Sequence, residues 1–164
     1  MGKTGKIGLN TFQDFILKRL GKASNNIIVP PLTGVDAGVI DIGNNKVLII
    51  AEDPIFYVPG HPLKQFGYYT VHIGASDVAV MGVKPEYMTY TLLMPPDTED
   101  EDFRNIVDSI HETACSLDIS IVGGHTGYYP AVISPLIGGI TVFSVADSNA
   151  YVTPRDARPG DDVI

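Results

Sequence analysis

The stretch Thr70–Pro85, TVHIGASDVAVMGVKP, constrains this chain more than any other. It is small and apolar with the spacing of a helix, yet it carries a carboxylate, Asp77. On a wheel of about 100° per residue with Phe66 at the origin, Tyr69, Thr70, Ile73, Val80 and Met81 fall within roughly 60°. Asp77 falls about 20° away, inside the apolar stripe. An ionised carboxylate there costs several kcal/mol unless it is paired. A backbone donor, a cation or a metal would pair it; a cap at a local helix end is the structural alternative.

The 164 residues suit one domain or slightly more, and the 45% apolar content is enough for a proper core. No apolar run reaches the length of a membrane span, and MGKTGKIG is not followed by a signal-peptide core. Cytoplasm and no membrane partner are therefore expected. The net charge of −8 (11 basic against 19 acidic residues) argues against nucleic acid. It is compatible with a nucleotide held through Mg²⁺. Cys115, the single cysteine, cannot form an internal disulfide and reads as a small core residue.

GKTGKIG at the N-terminus lacks the spacing and the preceding strand of a phosphate-binding P-loop, so Lys3 and Lys6 are expected on a solvated arm. Thr11–Leu20 spaces Phe12, Phe15, Ile16 and Leu20 as a short amphipathic helix ending at Gly21. Ile27–Val29, Gly34–Ile42 and Lys46–Ala51 read as strands, the last two joined by an Asn44-Asn45 turn. Glu52 and Asp53 then stand at a strand end closed by Pro54, and Pro54–Pro62 is a loop long enough to bind or cover a ligand. A helix follows over Leu63–Met81, with Gly74 as a candidate break and Gly82 as its stop. Glu86–Met94 is a strand. Thr98 and Glu101 have the spacing of a capping box, and Phe103, Ile106, Val107, Ile110, Ala114 and Leu117 form the apolar face of the next helix. Ile119–Val122 is a strand running into the glycine-rich turn Gly123-Gly124-His125-Thr126-Gly127, where a backbone can approach a ligand. Ile133–Val145 is the last strand, with Gly138-Gly139 marking a bulge or close contact, and the terminal Val163-Ile164 looks like the start of another. His61, His72 and His125 are widely separated and show no metal-ligand spacing.

In order, Asp36-Ala37-Gly38-Val39-Ile40, Glu52-Asp53, Ala75-Ser76-Asp77-Val78-Ala79-Val80-Met81-Gly82-Val83-Lys84-Pro85 and Gly123-Gly124-His125-Thr126 resemble the N-terminal ATP-binding domain of the aminoimidazole ribonucleotide synthetase (PurM-like) superfamily. The spacing is most similar to its HypE and AIR synthase-related branch. The resemblance runs from about Lys6 to the end, and its most specific part is the segment around Asp77.

That resemblance implies an α/β (α+β) domain with a four-stranded mixed sheet flanked by helices, the sheets of two copies pairing into a barrel across a dimer. Residues 1–26 become an arm with a short helix, 27–150 the ATP-binding domain, and 151–164 a linker toward a C-terminal domain outside this chain. It implies ATP and Mg²⁺ as cofactors, Asp36, Asp53 and Asp77 as metal- and nucleotide-binding residues, and Gly123, Gly124 and Thr126 near the nucleotide. The implied partners are a second copy through the sheet and a maturation partner protein. The implied function is the ATP·Mg-binding part of an ATP-dependent synthetase or maturation-type protein that phosphorylates an amide-like or related oxygen, with the active site completed by the further domain. Phosphoryl transfer depends mostly on positioning and charge neutralisation, which converging carboxylates supply. The sequence departs from the family at Glu52, where Thr is usual, and at His125, where an acid is usual. These departures leave a non-catalytic dimerisation or partner-binding module as the alternative.

Overall fold

The computed structural model describes residues 4–162. Lys3 and the terminal Val163-Ile164 lie outside them. The core is a mixed six-stranded sheet in the order β1-β2-β3-β6-β4-β5, not the four strands expected. Its strands are β1 (Ile27–Val29), β2 (Gly38–Gly43), β3 (Lys46–Phe56), β4 (Tyr87–Met94), β5 (Ser120–Tyr128) and β6 (Ile137–Asp147). All neighbours are antiparallel except β4 and β5. That parallel pair is joined by α3 (Asp100–Ser116), as a crossover requires. α2 (Phe66–Ala79), entered through the 3₁₀ turn Leu63–Gln65, joins β3 to β4. Asn44 and Asn45 both take positive φ (52° and 59°), the left-handed turn that matches the twist of the β2–β3 hairpin.

Alternation on β3 separates two faces. Val47, Ile49, Ala51 and Ile55 point into a core with Met88, Leu92, Ile106, Ile110, Ile140 and Val142, covered by the helices. Each fully buried aliphatic side chain contributes about 1.5–3 kcal/mol. The other face carries Leu48, Ile50, Leu93, Val145 and the stacked pair Tyr87–Phe143 (ring centroids 5.6 Å apart), with no described element packed over it.

Pro54 does not end its strand. β3 continues to Phe56 because its pairing with β2 stops at Gly38↔Ile50, leaving β6 as the only neighbour. The amide that proline lacks is then not required on the free side.

α2 is unbroken, and its buried face differs from the wheel's. Phe66, Gly67, Thr70, Val71, Gly74, Ala75 and Val78 are buried, whereas Tyr69, Ile73 and Val80 are exposed. The helix presses its small residues inward. A Cβ on Gly67 would lie 2.1 Å from the Ser109 backbone of α3, and one on Gly74 2.9 Å from Val142 Cγ2 of β6. Gly67 N–H also donates to buried Ser109 Oγ at 2.6 Å. Asp77 therefore lies at the margin of the buried stripe, half-buried, instead of at its centre.

α3 buries Ile106, Ile110 and Ala114 as its spacing predicts. Its capping box does not form: Glu99 is the N-cap, and Thr98 Oγ1 donates to Pro95 O at 2.9 Å, closing the preceding turn. Asp100, Glu101 and Asp102 still occupy the first turn, where the helix dipole favours them. Cys115 is exposed, one position beyond buried Ala114, with its Sγ 3.7 Å from His111 Nδ1; it is not a core residue. The N-terminal helix is short, α1 (Leu9–Thr11) running into a π turn (Phe12–Ile16), and Phe15, Ile16 and Leu20 remain exposed.

Candidate functional site

Packing on Gly74 brings two acids together. Gly74 lies on Ile140 of β6, and Ile140 is the register partner of Asp53 on β3. Asp77, one turn further along α2, is thereby set against Asp53. Asp36 precedes β2 by two residues; the antiparallel register that pairs Gly38 with Ile50 carries it toward the level of Glu52–Asp53.

The electrostatics follow from this placement. Asp77 is raised from the usual carboxylate range to about 6, first by burial, then by the negative charges of Asp53 and Asp36, and by the closeness of the Asp53 carboxylate, which favours its protonated form. Lys6 opposes the shift. Asp53 Oδ2 is buried with no hydrogen-bond partner. A buried acceptor without a donor, facing a second carboxylate that resists ionisation, has the chemistry of a cation site. Among the described residues, no group of three or more His, Cys, Asp or Glu side chains could hold a metal by itself. This donor set suits Mg²⁺, which is commonly held by one or two carboxylates and completed by phosphate oxygens.

Glu52 and Asp53 do not act as a pair, because adjacent strand residues face opposite ways. Glu52 lies on the uncovered face, accepting a hydrogen bond from Thr141 Oγ1 and lying over Gly139. Beside the acids, Ile55, Tyr57, His61, Phe66, Tyr69 and Ile73 line a small apolar pocket, with His61 edge-on to Tyr69 at 5.2 Å. Part of the expected Pro54–Pro62 loop, Pro54–Phe56, is strand.

Gly123, Gly124 and Thr126 are not in a turn. They lie within β5, paired with Thr89, Tyr90 and Leu92. A Cβ on Gly124, whose φ is +152°, would lie 2.1 Å from Tyr90 O, so the close approach served by this glycine is to β4. Gly124 and Asp53 share the cross-strand row Gly124–Tyr90–Ile140–Asp53. Three strand spacings separate them, roughly 14 Å. One chain thus gathers Asp53 and Asp77, with Asp36 within electrostatic reach, but does not bring the glycine run against them. Lys6, expected on a solvated arm, lies near enough to Asp77 for its charge to lower that pKa. One further contact escapes the sequence. Tyr129 Oη is 2.7 Å from His125 Nε2, a pairing that follows from the strand's course past Gly127.

Comparison with known proteins agrees with this architecture. Residues 34–149 match the family described as AIR synthase related protein, N-terminal domain. A putative hydrogenase expression/formation protein of Methanocaldococcus jannaschii is 28% identical over 99% of this chain and 48% of its own length. Selenide, water dikinase of Geobacter metallireducens is 30% identical over 99% of this chain and 47% of its own. The chain thus spans about half the length of these curated relatives. The solved structure of AaThiL complexed with AMPPCP and TMP shares the fold, with a TM-score of 0.67 at 16% identity over 79% of this chain and 41% of that one. No helix among the described residues is long and apolar enough to cross a membrane. With its six-stranded mixed sheet and helices on one face, the chain belongs to the AIR synthase related family through its N-terminal domain.

Proposed function

We propose that this chain is the ATP·Mg²⁺-binding domain of an ATP-dependent synthetase or maturation-type protein, one that phosphorylates an amide-like or related oxygen with the help of a further domain. The observation that carries this is the buried, unpartnered Asp53 Oδ2 set against Asp77. Asp53 and Asp77 would hold the metal, with Asp36 adding charge from the side. Bound Mg²⁺ supplies positive charge that neutralises phosphate oxygens and relieves carboxylate repulsion. Lys6 balances negative charge at the same place, and the apolar pocket beside Asp53 offers a dry surface for the acceptor. Selenide, water dikinase among the relatives and AMPPCP in a structural neighbour favour nucleotide chemistry.

Titration calorimetry tests this. ATP should bind with Mg²⁺ and bind more weakly in chelator, and Asp77→Asn should lower the Mg²⁺-dependent affinity more than about tenfold. Absence of binding by the folded wild-type chain would remove the proposal.

The uncovered sheet face is the proposed seat of a second copy, whose own sheet would complete the layer that Leu48, Ile50 and Phe143 lack. Phe143→Asp should then convert a dimer to a monomer in sedimentation equilibrium; an unchanged mass would sink the sheet interface. A purely structural or partner-binding module is the second reading, favoured by His125 in place of an acid and by the lack of a self-sufficient metal group among the described residues. ATP hydrolysis by a chain extended past Ile164 separates the two, since turnover there excludes the structural module.

A further inference from the structure

We propose that the cleft between the N-terminal arm and the loop preceding β2 seats the base of the nucleotide, with Phe12 as the side chain on which its ring packs. This rests on the nucleotide reading above and deepens it, by naming where the apolar end of that ligand goes.

Two stretches that meet outside the core make the cleft. Phe12 and Ile16 line it from the arm, and Leu32 and Val35 line it from the loop between β1 and β2. Phe12, Ile16 and Leu32 do not belong to the buried core, and Val35 only packs against its margin. Phe12, Leu32 and Val35 are half-buried and Ile16 is exposed. Apolar side chains thus line a groove that the described residues leave open. Its volume is about 530 Å³, within the range of small-molecule sites.

The same cleft adjoins the acids. Asp36 and Lys6 also line it. They are the two groups, besides Asp53, whose charges reach Asp77. The β2–β3 register separately carries Asp36 toward the level of Asp53. A ligand whose charged end lies at Asp53 and Asp77 therefore meets a large apolar surface by extending past Asp36 and Lys6 into this cleft. The other pocket beside the acids, lined by Ile55, Phe66 and Ile73, holds about 60 Å³. That is room for a few water molecules and too little for a bicyclic base. Size thus leaves the small pocket to the acceptor and gives the large cleft to the base. The chemistry of the walls agrees, since an aromatic and aliphatic lining recognises the flat face that every base presents.

The test compares two ligands by titration calorimetry on the 164-residue chain. One is ATP with Mg²⁺; the other is inorganic tripolyphosphate with Mg²⁺, which has the phosphate chain and no base. Wild type should bind ATP about tenfold more tightly than tripolyphosphate. Phe12→Ala should weaken ATP about five- to tenfold and leave tripolyphosphate within about twofold. Phe12→Tyr, which keeps a ring, should keep most of the preference for ATP. Because Phe12 lies outside the core, Phe12→Ala should unfold in urea at the wild-type midpoint, which separates lost packing on the base from lost folding. Equal binding of the two ligands by wild type overturns the cleft and leaves the acid site standing. A preference for ATP that survives Phe12→Ala also overturns it, since the base then sits elsewhere. So does an equal loss for both ligands, which would make the arm part of the phosphate site. If folded wild type binds neither ligand, the parent reading fails and the cleft falls with it.

Discussion

The two regions richest in candidate residues are built in opposite ways. α2 packs so closely that a Cβ at Gly67 would meet the α3 backbone at 2.1 Å, and one at Gly74, on the side facing β3 and β6, would meet Val142 at 2.9 Å. That pressure leaves Asp53 Oδ2 dry and pushes Asp77 toward neutrality. β5 forms one edge of the sheet, and every residue of it except Gly127 is exposed. Its polar groups remain hydrated and keep their ordinary hydrogen-bonding roles. The difference teaches that charge is concentrated where packing excludes water, and donors are offered where it does not. The two regions lie roughly 14 Å apart along one row of the sheet, so a ligand touching both must either span that distance or meet β5 of a second copy.

Glycine substitutions test this contrast most severely. In an ordinary helix position Gly→Ala stabilises by up to about 1 kcal/mol. Gly67→Ala should do the reverse, costing about 3 kcal/mol or more, because the new Cβ meets the Ser109 and Ile110 backbones at 2.1–2.2 Å and one helix must move. Urea denaturation reads the sign directly; a stabilised variant would mean that the helices have room to part. On β5, Gly124→Ala should cost about 2 kcal/mol, from the clash with Tyr90 O and a backbone conformation that side chains rarely adopt. Its neighbour is the control. Gly123→Ala meets only Thr89 Cγ2 at 3.7 Å and should stay within about 0.5 kcal/mol of wild type. Equal costs at 123 and 124 would show that β5 is constrained by something other than its approach to β4.

These glycines also explain which parts of the fold were legible in the sequence. α3 could be read because large residues, Ile106 and Ile110, mark its buried face. The helix α2 is legible but its buried face is not, since a wheel weighted by apolar bulk passes over Gly67 and Gly74 and is drawn to exposed Ile73 and Val80. β5 was cut short for a related reason: glycines read as a turn were serving close contact between strands. Pro54 misled because whether a proline ends a strand depends on which neighbours are present, a property of the sheet and not of the segment. The candidate acids were named largely through family resemblance. Asp77 alone stood out on physical grounds, as a carboxylate inside an apolar run. The Tyr129 contact with His125 had no sequence signal, because it depends on where the chain passes after leaving β5.

The smallest expected effect concerns the acid pair without ligand. Asp77 has a pKa of about 6 in the folded protein against 3.8 for a solvated aspartate, so between those values the folded state binds more protons than the unfolded one. Stability must then fall as pH rises through that window, and below it the penalty vanishes because Asp77 is protonated in both states. Asp77→Asn removes the titrating group. It should leave stability at pH 4 nearly unchanged and raise it at pH 7 by on the order of 1 kcal/mol, a figure reduced for solvent screening of a carboxyl that is only partly buried. Thermal melts of both proteins at the two pH values measure the difference. Mg²⁺ with nucleotide should reverse the ranking at pH 7, since the ligand stabilises only a folded chain that can bind it. A variant no more stable than wild type at pH 7 without ligand would mean that Lys6 already neutralises the site, and the strain assigned to the Asp53–Asp77 contact would be absent.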